Sequence, residues 1–455
     1  MRQCTWMFVG LLVWFSLSGT PVSAQEQGPA CIGSGDLGCL IPNLYGERGL
    51  ILPNTVHTAH FLSAFQSNFG PLNGAVASEL TRLPIASPAS GFTYTFNSAT
   101  GVFSRSAQSF GPILTERAET IGKGKFYLGF AYQHFSFDSL DGIDLDDIPV
   151  VFKHVAISGA PFESDYLTTR NSIDMSLNQF SIFGTYGLTN RFSVSVALPI
   201  LDVDMKVSSE VTIHRVAPPN LVQFPNSAGE AHYFDERNPV PSTQNTYTSS
   251  GNAKGLGDLV IRFKGQVKRW EKSSLAVMAD LIAPSGDEHN FLGSGTWGFK
   301  PAVAYSMGLG RVAPHFNLGY QINGSSLLVG ADITNNRKGH LPNQLSYSFG
   351  ADVGVTPKVT LAFDYLGQNI FNAEQAVSST FTSPRPERNQ PASATPTPYD
   401  TTNFKRSSFN ISSASFGLKL NPVGQLLFTG NVLVRLNDGG LRANVAPLFG
   451  LSYSF

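Results

Sequence analysis

LRANVAPLFGLSYSF, residues Leu441 to Phe455, ends the chain. Stepping back from the end by twos gives Phe455, Tyr453, Leu451, Phe449, Pro447, Val445, Ala443 and Leu441, all apolar or aromatic. The intervening residues, Ser454, Ser452, Gly450, Leu448, Ala446, Asn444 and Arg442, are mostly small or polar. A period of two is the signature of a β-strand with unlike faces. A tilted strand of about 9–11 residues crosses a bilayer, and this one is long enough.

The same pattern recurs upstream. From Lys125 onward the chain alternates between apolar and polar over long stretches, giving about twelve strands. The rows include Phe126, Leu128, Phe130 and Tyr132, then Phe180, Ile182 and Tyr186, then Leu345, Tyr347, Phe349, Val353 and Val355, then Leu361, Phe363 and Tyr365. Short turns, such as Gly187-Leu188-Thr189-Asn190-Arg191 and Asn421-Pro422-Val423-Gly424, alternate with long polar stretches beginning near 138, 214, 284, 324 and 368. Gln368 to Lys405, rich in Pro, Ser and Thr, reads as one of these loops. Outer-membrane barrels sort their connections in this way, short in the periplasm and long outside. In hydrocarbon every backbone polar group must be paired, so a spanning sheet has to close. The expectation is an all-β, closed antiparallel transmembrane barrel of about twelve strands, or fourteen if a hairpin near Phe92 joins the wall.

Composition agrees. Among 455 residues only 14% are charged, with 44 Gly and 34 Phe. The net charge of −1 offers no basic footprint for nucleic acid. Arg2, the apolar run Trp6 to Leu17 and the small residues Ser23-Ala24 read as an export signal over residues 1–24. No later apolar run is long enough for a membrane-spanning helix. The expected address is the bacterial outer membrane, with its lipid as a partner.

Residues 25–124 lack the long alternation and form a second unit, before a barrel over 125–455. The preferred reading is a plug inside the lumen, with a separate periplasmic domain as the alternative. Its aromatics Phe61, Phe65, Phe69, Phe92 and Phe96 would bring apolar surface into a polar lumen. A short helix is expected near Leu72 to Arg82 and a hairpin over Phe92–Phe96 and Val102–Arg105. Cys31 and Cys39 are expected to form one disulfide in an oxidising compartment.

On the wall, the charged residues Arg262, Lys264, Lys268, Asp280, Asp352, Asp364, Arg435 and Arg442 fall opposite the apolar row and are expected to face the lumen. A charge facing lipid at the midplane costs roughly 2–4 kcal/mol. Trp270, Trp297, Tyr186 and Tyr305 fall near strand ends, where an interfacial girdle belongs. No metal or cofactor site is expected. His57 and His60 lack a third ligand, and neither Asp141, Asp144, Asp146 and Asp147 nor Asp287-Glu288-His289-Asn290 follows a calcium-loop spacing. No His-x-Ser-Asn or Gly-x-Ser-x-Gly occurs, so no catalytic residues are assigned.

Four stretches carry resemblances. The aromatic carboxy-terminal strand resembles the closing strand of bacterial outer-membrane barrels, which implies the barrel-assembly machinery as a partner. Thr115 to Lys125 (TERAETIGKGK), Gly255 to Leu259 (GLGDL) and Ala283 to Gly295 (APSGDEHNFLGSG) together resemble the outer-membrane family named for the meta-pathway of phenol degradation. That family is grouped with FadL-like channels. The resemblance implies passive uptake of small hydrophobic or aromatic compounds. A hydrophilic porin and a structural or surface-interaction barrel are the alternative functions. The amino terminus has no Asn-Pro-Ala motif of the FadL kind, and no binding residue is carried over.

Overall fold

The computed structural model describes residues 31, 35–46, 50–53, 61, 71–76, 79–80, 94–97, 102–105, 109–154, 165–216, 232–235, 242–329, 338–383, 385–388 and 390–455. The expected export signal, His57, His60, Phe65, Phe69 and Phe92 lie outside them.

Among the described residues twelve antiparallel strands form a closed ring. They are β1 (Phe126–Phe137), β2 (Tyr166–Gly187), β3 (Phe192–His214), β4 (Leu259–Arg269), β5 (Ser273–Ala283) and β6 (Gly298–Met307). They continue with β7 (Val312–Asn323), β8 (Gln344–Thr356), β9 (Val359–Thr382), β10 (Pro398–Leu420), β11 (Leu426–Arg435) and β12 (Val445–Ser454). The ring closes where β12 pairs with β1, in a register that sets Leu451 opposite Phe130 and Phe449 opposite Tyr132. Phe455 is tied into this seam, its amide donating to the Phe126 carbonyl at 2.7 Å. Closure leaves the wall without an exposed edge, as a bilayer requires.

The pleat decides what meets lipid. Phe349 is 54% exposed and Phe363 43%, whereas Asp352 is 0% and Asp364 5% exposed. The outward aromatics pack on cross-strand neighbours: Phe349 stacks on Tyr365 at 4.8 Å and Tyr132 lies against Phe180 at 4.8 Å. Such pairs stabilise the sheet from its lipid-facing side. Trp270, Trp297 and Tyr186 are exposed, and Tyr305 is half-buried. An apolar girdle around a closed sheet makes this an outer-membrane barrel.

Several strands outrun the bilayer. Gln244–Leu256 pairs with the upper part of β3, and Ile148–Lys153 pairs with the top of β2. These two extra strands lie in stretches that read as polar loops. The expected Gln368–Lys405 loop is likewise mostly hairpin: β9 and β10 stay paired up to Thr382 and Pro398. Above the bilayer the polarity of the pleat inverts. Phe180 and Ile182 of β2 face outward, but higher up the outward side carries Asp174 and Arg170, and the inward side carries Leu177, Met175 and Ile173. Water now bathes the outside, and the inside packs on the amino-terminal segment.

Two other expectations are corrected. The hairpin of Tyr94–Asn97 and Val102–Arg105 is a separate two-stranded sheet, so the wall has twelve strands and not fourteen. The apolar row of β12 does not run back to Leu441, because Leu441–Arg442 leaves the wall to pair with Ser139–Leu140. Leu441 is buried in the core. Residues 71–76 and 79–80 are helical.

Leu37, Leu40, Ile41, Leu44, Leu50, Leu52, Phe61, Leu72, Val76 and Leu80 form one buried cluster with inward residues of β1, β2 and β3, including Phe135, Met175 and Val203. Tyr45 reaches the wall through its hydroxyl, 2.7 Å from Ser209 Oγ. These described amino-terminal residues thus pack on the apolar inward side chains of β1, β2 and β3.

Candidate functional site: a chamber between an inner segment and a loop

Residues 109–121 cross the lumen and bond to inward side chains of six wall strands, β4 and β6 to β10. Phe110 donates its amide to Thr360 Oγ1 at 3.0 Å, and the Lys419 ammonium donates to the Pro112 carbonyl at 2.6 Å. Thr115 Oγ1 donates to Asp364 at 3.1 Å, and His315 Nε2 lies 2.5 Å from the same carboxylate. Glu116 exchanges backbone hydrogen bonds with the Asn317 amide at 2.7 and 2.8 Å, much as a strand would. Arg117 forms a buried ion pair with Asp352 and also bonds Ser109. The Ala118 amide donates to Ser306 Oγ at 2.6 Å. Beyond it, Gly124 donates its amide to the Gly187 carbonyl at 2.7 Å and the chain enters β1.

The Glu116 carboxylate is the electrostatic centre of this segment. Arg262 donates to Oε1 at 2.7 Å and Lys264 to Oε2 at 2.9 Å. Arg262 also holds Asp280 with a fork of two bonds, both 2.7 Å. Such paired, charge-assisted contacts are the strong class of hydrogen bond. They hold where water is scarce, so loss of one partner strands a buried charge.

Above the segment lies a cavity of about 280 Å³. Leu114, Thr115 and Glu116 contribute its lower lining, and Phe291, Leu292, Gly293 and Ser294 line it from the loop between β5 and β6. Asp258 holds that loop in place: its carboxylate accepts from the Gly286 amide at 3.1 Å and the Ser294 amide at 2.7 Å. Burial raises the Asp258 pKa above its usual value, and the hydrogen bonds to the carboxylate oppose that. The loop folds back on itself so closely that a Cβ on Gly293 would stand 2.5 Å from Asp258 Oδ1 and 2.6 Å from Gly286 Cα. Phe291, at φ +59°, adopts a left-handed conformation uncommon for a bulky residue and is buried. The three stretches that carry the family resemblance, TERAETIGKGK, GLGDL and APSGDEHNFLGSG, therefore meet at one chamber.

The residues picked out from sequence separate into groups. Arg262, Lys264 and Asp280 meet at Glu116; Asp352 and Asp364 meet Arg117, Thr115 and His315. Arg435 sits at the mouth and pairs with Asp138 at 3.2 Å, and Arg442 donates to the Ser412 carbonyl at 2.8 Å. Lys268 is a correction. A bulge between Gln266 and Lys268 shifts the register, so Lys268 lies opposite Leu275 on the outer face and is exposed. Cys31 and Cys39 are joined by a disulfide, Cα–Cα 5.4 Å. Their loop rests on the chamber loop: the Leu37 amide donates to Asn290 Oδ1 at 3.0 Å. Phe61 packs edge-on to His154 and His232, at 5.2 and 5.3 Å. Phe96 lies opposite Phe103 in the separate hairpin. Among the described residues no group of three or more His, Cys, Asp or Glu is placed to hold a metal.

Sequence reasoning missed Glu116, Asn317 and Lys300. Lys300 was legible by parity, since it alternates with outward Phe299. Glu116 carries no such signal, for its partner Lys264 is 148 positions away.

Residues 165–379 match the family described as "Putative MetA-pathway of phenol degradation". This bears out the resemblance seen in the sequence. No curated protein matches the chain. Among solved structures, an outer membrane channel from Pseudomonas putida F1 is similar at 14% identity and TM-score 0.40, covering 75% of this chain and 99% of that one. A FadL homologue of Pseudomonas aeruginosa is similar at 8% identity and TM-score 0.31, covering 82% and 99%. The toluene transporter TbuX of Ralstonia pickettii is similar at 10% identity and TM-score 0.24, covering 74% and 92%.

Proposed function

We propose that this outer-membrane channel admits small hydrophobic or aromatic compounds passively, by way of the chamber above Glu116. The observation that carries this reading is the chamber's lining. Leu114, Leu201, Met278, Ile282, Phe291 and Leu292 give the chamber an apolar side, and polar and charged side chains such as Arg262, Lys300, Gln321 and Gln344 line the rest, so a small aromatic molecule meets both apolar surface and hydrogen-bonding groups there. An apolar cavity of roughly 150 Å³ is enough for benzene. About 280 Å³ takes a substituted single ring. The family description, which names phenol degradation, supports the same cargo class.

In this reading residues 25–124 act as a plug. The upper part fills the outer half of the lumen, and residues 109–121 must shift for a molecule to pass below Glu116. The export signal over 1–24 and the aromatic end of β12 deliver the chain to the barrel-assembly machinery.

The test is uptake by whole cells, because small aromatics cross plain lipid vesicles unaided. A Gram-negative strain lacking other aromatic channels is given radiolabelled ethylbenzene with and without the protein. Faster initial uptake with the protein supports the proposal. Equal uptake, with the barrel folded in the outer membrane, refutes it.

A further inference from the structure

The end of the barrel that carries the short turns is strongly basic. Five turns join strands there, β2 to β3, β4 to β5, β6 to β7, β8 to β9 and β10 to β11, and the chain enters β1 beside them. In outer-membrane barrels the short turns mark the periplasmic end. Lys123 and Lys125 lie at the entry, Arg191 in the first turn, Lys268, Arg269 and Lys272 around the second, Arg311 in the third and Lys358 in the fourth. Across 122–125, 187–191, 268–272, 308–311, 357–358 and 421–425, Glu271 is the one acidic residue. Eight cations thus stand against one carboxylate, in a chain whose net charge is −1. A repeated backbone contact sets them around the rim. The Lys125 carbonyl accepts from the Gly187 amide at 3.0 Å, that of Arg191 from Gln266 at 2.7 Å and that of Lys272 from Gly308 at 2.7 Å. The Arg311 carbonyl accepts from the Gly354 amide and that of Lys358 from Asn421, both at 2.8 Å. Lys123, Arg191, Lys268, Lys272 and Arg311 are exposed and enter no ion pair among the described residues.

We propose that this rim is a docking surface for the anionic phospholipid headgroups of the periplasm-facing leaflet. Like charges gathered on one rim repel one another until anions come between them. Leu188, Trp270, Leu309 and Val423 are exposed apolar side chains on the same turns. Apolar and cationic side chains side by side suit a membrane surface, the first toward acyl chains and the second toward phosphates. The cations also follow the wall around the barrel, as the surrounding lipid does, whereas a compact acidic protein would face one sector. The attraction fades within a Debye length, about 10 Å at 0.1 M salt and about 3 Å at 1 M, so it selects the lipids that touch the rim.

Tryptophan quenching by brominated lipids tests this, because Trp270 stands on the rim and Trp297 precedes β6 at the opposite end of the wall. A reporter with Trp6, Trp14 and Trp297 changed to Phe leaves Trp270 alone, and a second with Trp6, Trp14 and Trp270 changed leaves Trp297. Each is reconstituted in phosphatidylcholine vesicles that contain brominated phosphatidylglycerol or brominated phosphatidylcholine. At about 0.1 M salt phosphatidylglycerol should be favoured beside Trp270 at least about threefold, and at about 1 M the preference should vanish. Trp297 should show no preference. Arg191→Gln, Lys268→Gln and Lys272→Gln together should remove the preference at Trp270, and Arg191→Lys with Lys268→Arg and Lys272→Arg should keep it. The gel mobility of unheated protein checks that each variant is folded. No preference at Trp270, as expected if the cations serve an acidic protein instead, overturns the proposal. So does an equal preference at Trp297, or one undiminished in the folded triple Gln variant.

Discussion

Replacing Glu116 by Ala should open the lower lumen. In the closed form its carboxylate takes a 2.7 Å bond from Arg262 and a 2.9 Å bond from Lys264. Arg262 retains Asp280, but Lys264, only 1% exposed, is left with the Arg117 carbonyl at 3.1 Å. Removing one partner of a buried pair typically costs about 3–5 kcal/mol, because the remaining charge is stranded. The closed arrangement of residues 109–121 bears that cost, since water reaches Lys264 once the segment moves. At 1.4 kcal/mol per tenfold, about 3 kcal/mol raises the open-to-closed ratio on the order of a hundredfold. Planar-bilayer recording reads this directly. The wild type should show a low, mostly closed conductance, and Glu116→Ala frequent openings of larger size. Arg117→Ala, which breaks the ion pair with Asp352, should act in the same direction. If both variants fold and conduct as the wild type does, the segment is not what closes the lumen.

Other substitutions separate the wall from the loop it carries. Asp258→Ala removes the acceptor for the Gly286 and Ser294 amides and should cost the loop about 1–3 kcal/mol. Hydrogen exchange should quicken about tenfold or more over residues 284–297 and stay unchanged in β4 and β5; an unaltered loop would contradict the role given to Asp258. Phe349→Arg puts a charge on the lipid-facing surface and should lower vesicle-embedded stability by about 2–4 kcal/mol in urea titration if the site is near the midplane. A neutral outcome would mean that the outward face of β8 is not in hydrocarbon.

Much of the wall was legible because lipid outside and polar groups inside impose one period of two. β12 shows it most fully: outward Phe449, Leu451 and Tyr453 alternate with buried Leu448, Ser452 and Ser454. Reading failed where that contrast ends. Gln244–Leu256 stands above the bilayer, and its sequence NTYTSSGNAKG has no apolar row to betray a strand. Val377 to Phe381 and Tyr399 to Phe404 continue their hairpin through β-branched and aromatic residues inside a stretch whose Pro and Ser suggested a loop. Lys268 misled because a single bulged residue reverses every later side chain of the strand. At the site, the parity of Arg262, Asp280, Asp352 and Asp364 could be read, but their partners could not. Glu116 and Arg117 lie in a segment without periodicity, and only the closed barrel brings them to those charges.

Swelling of liposomes in arabinose, with wild-type protein refolded into them, tests the central claim most directly. If the amino-terminal segment acts as the proposed plug, with residues 109–121 below it, the sugar should be kept out, and the swelling rate should stay near that of protein-free liposomes. Swelling as fast as with a general porin would show an open aqueous pore and contradict the account.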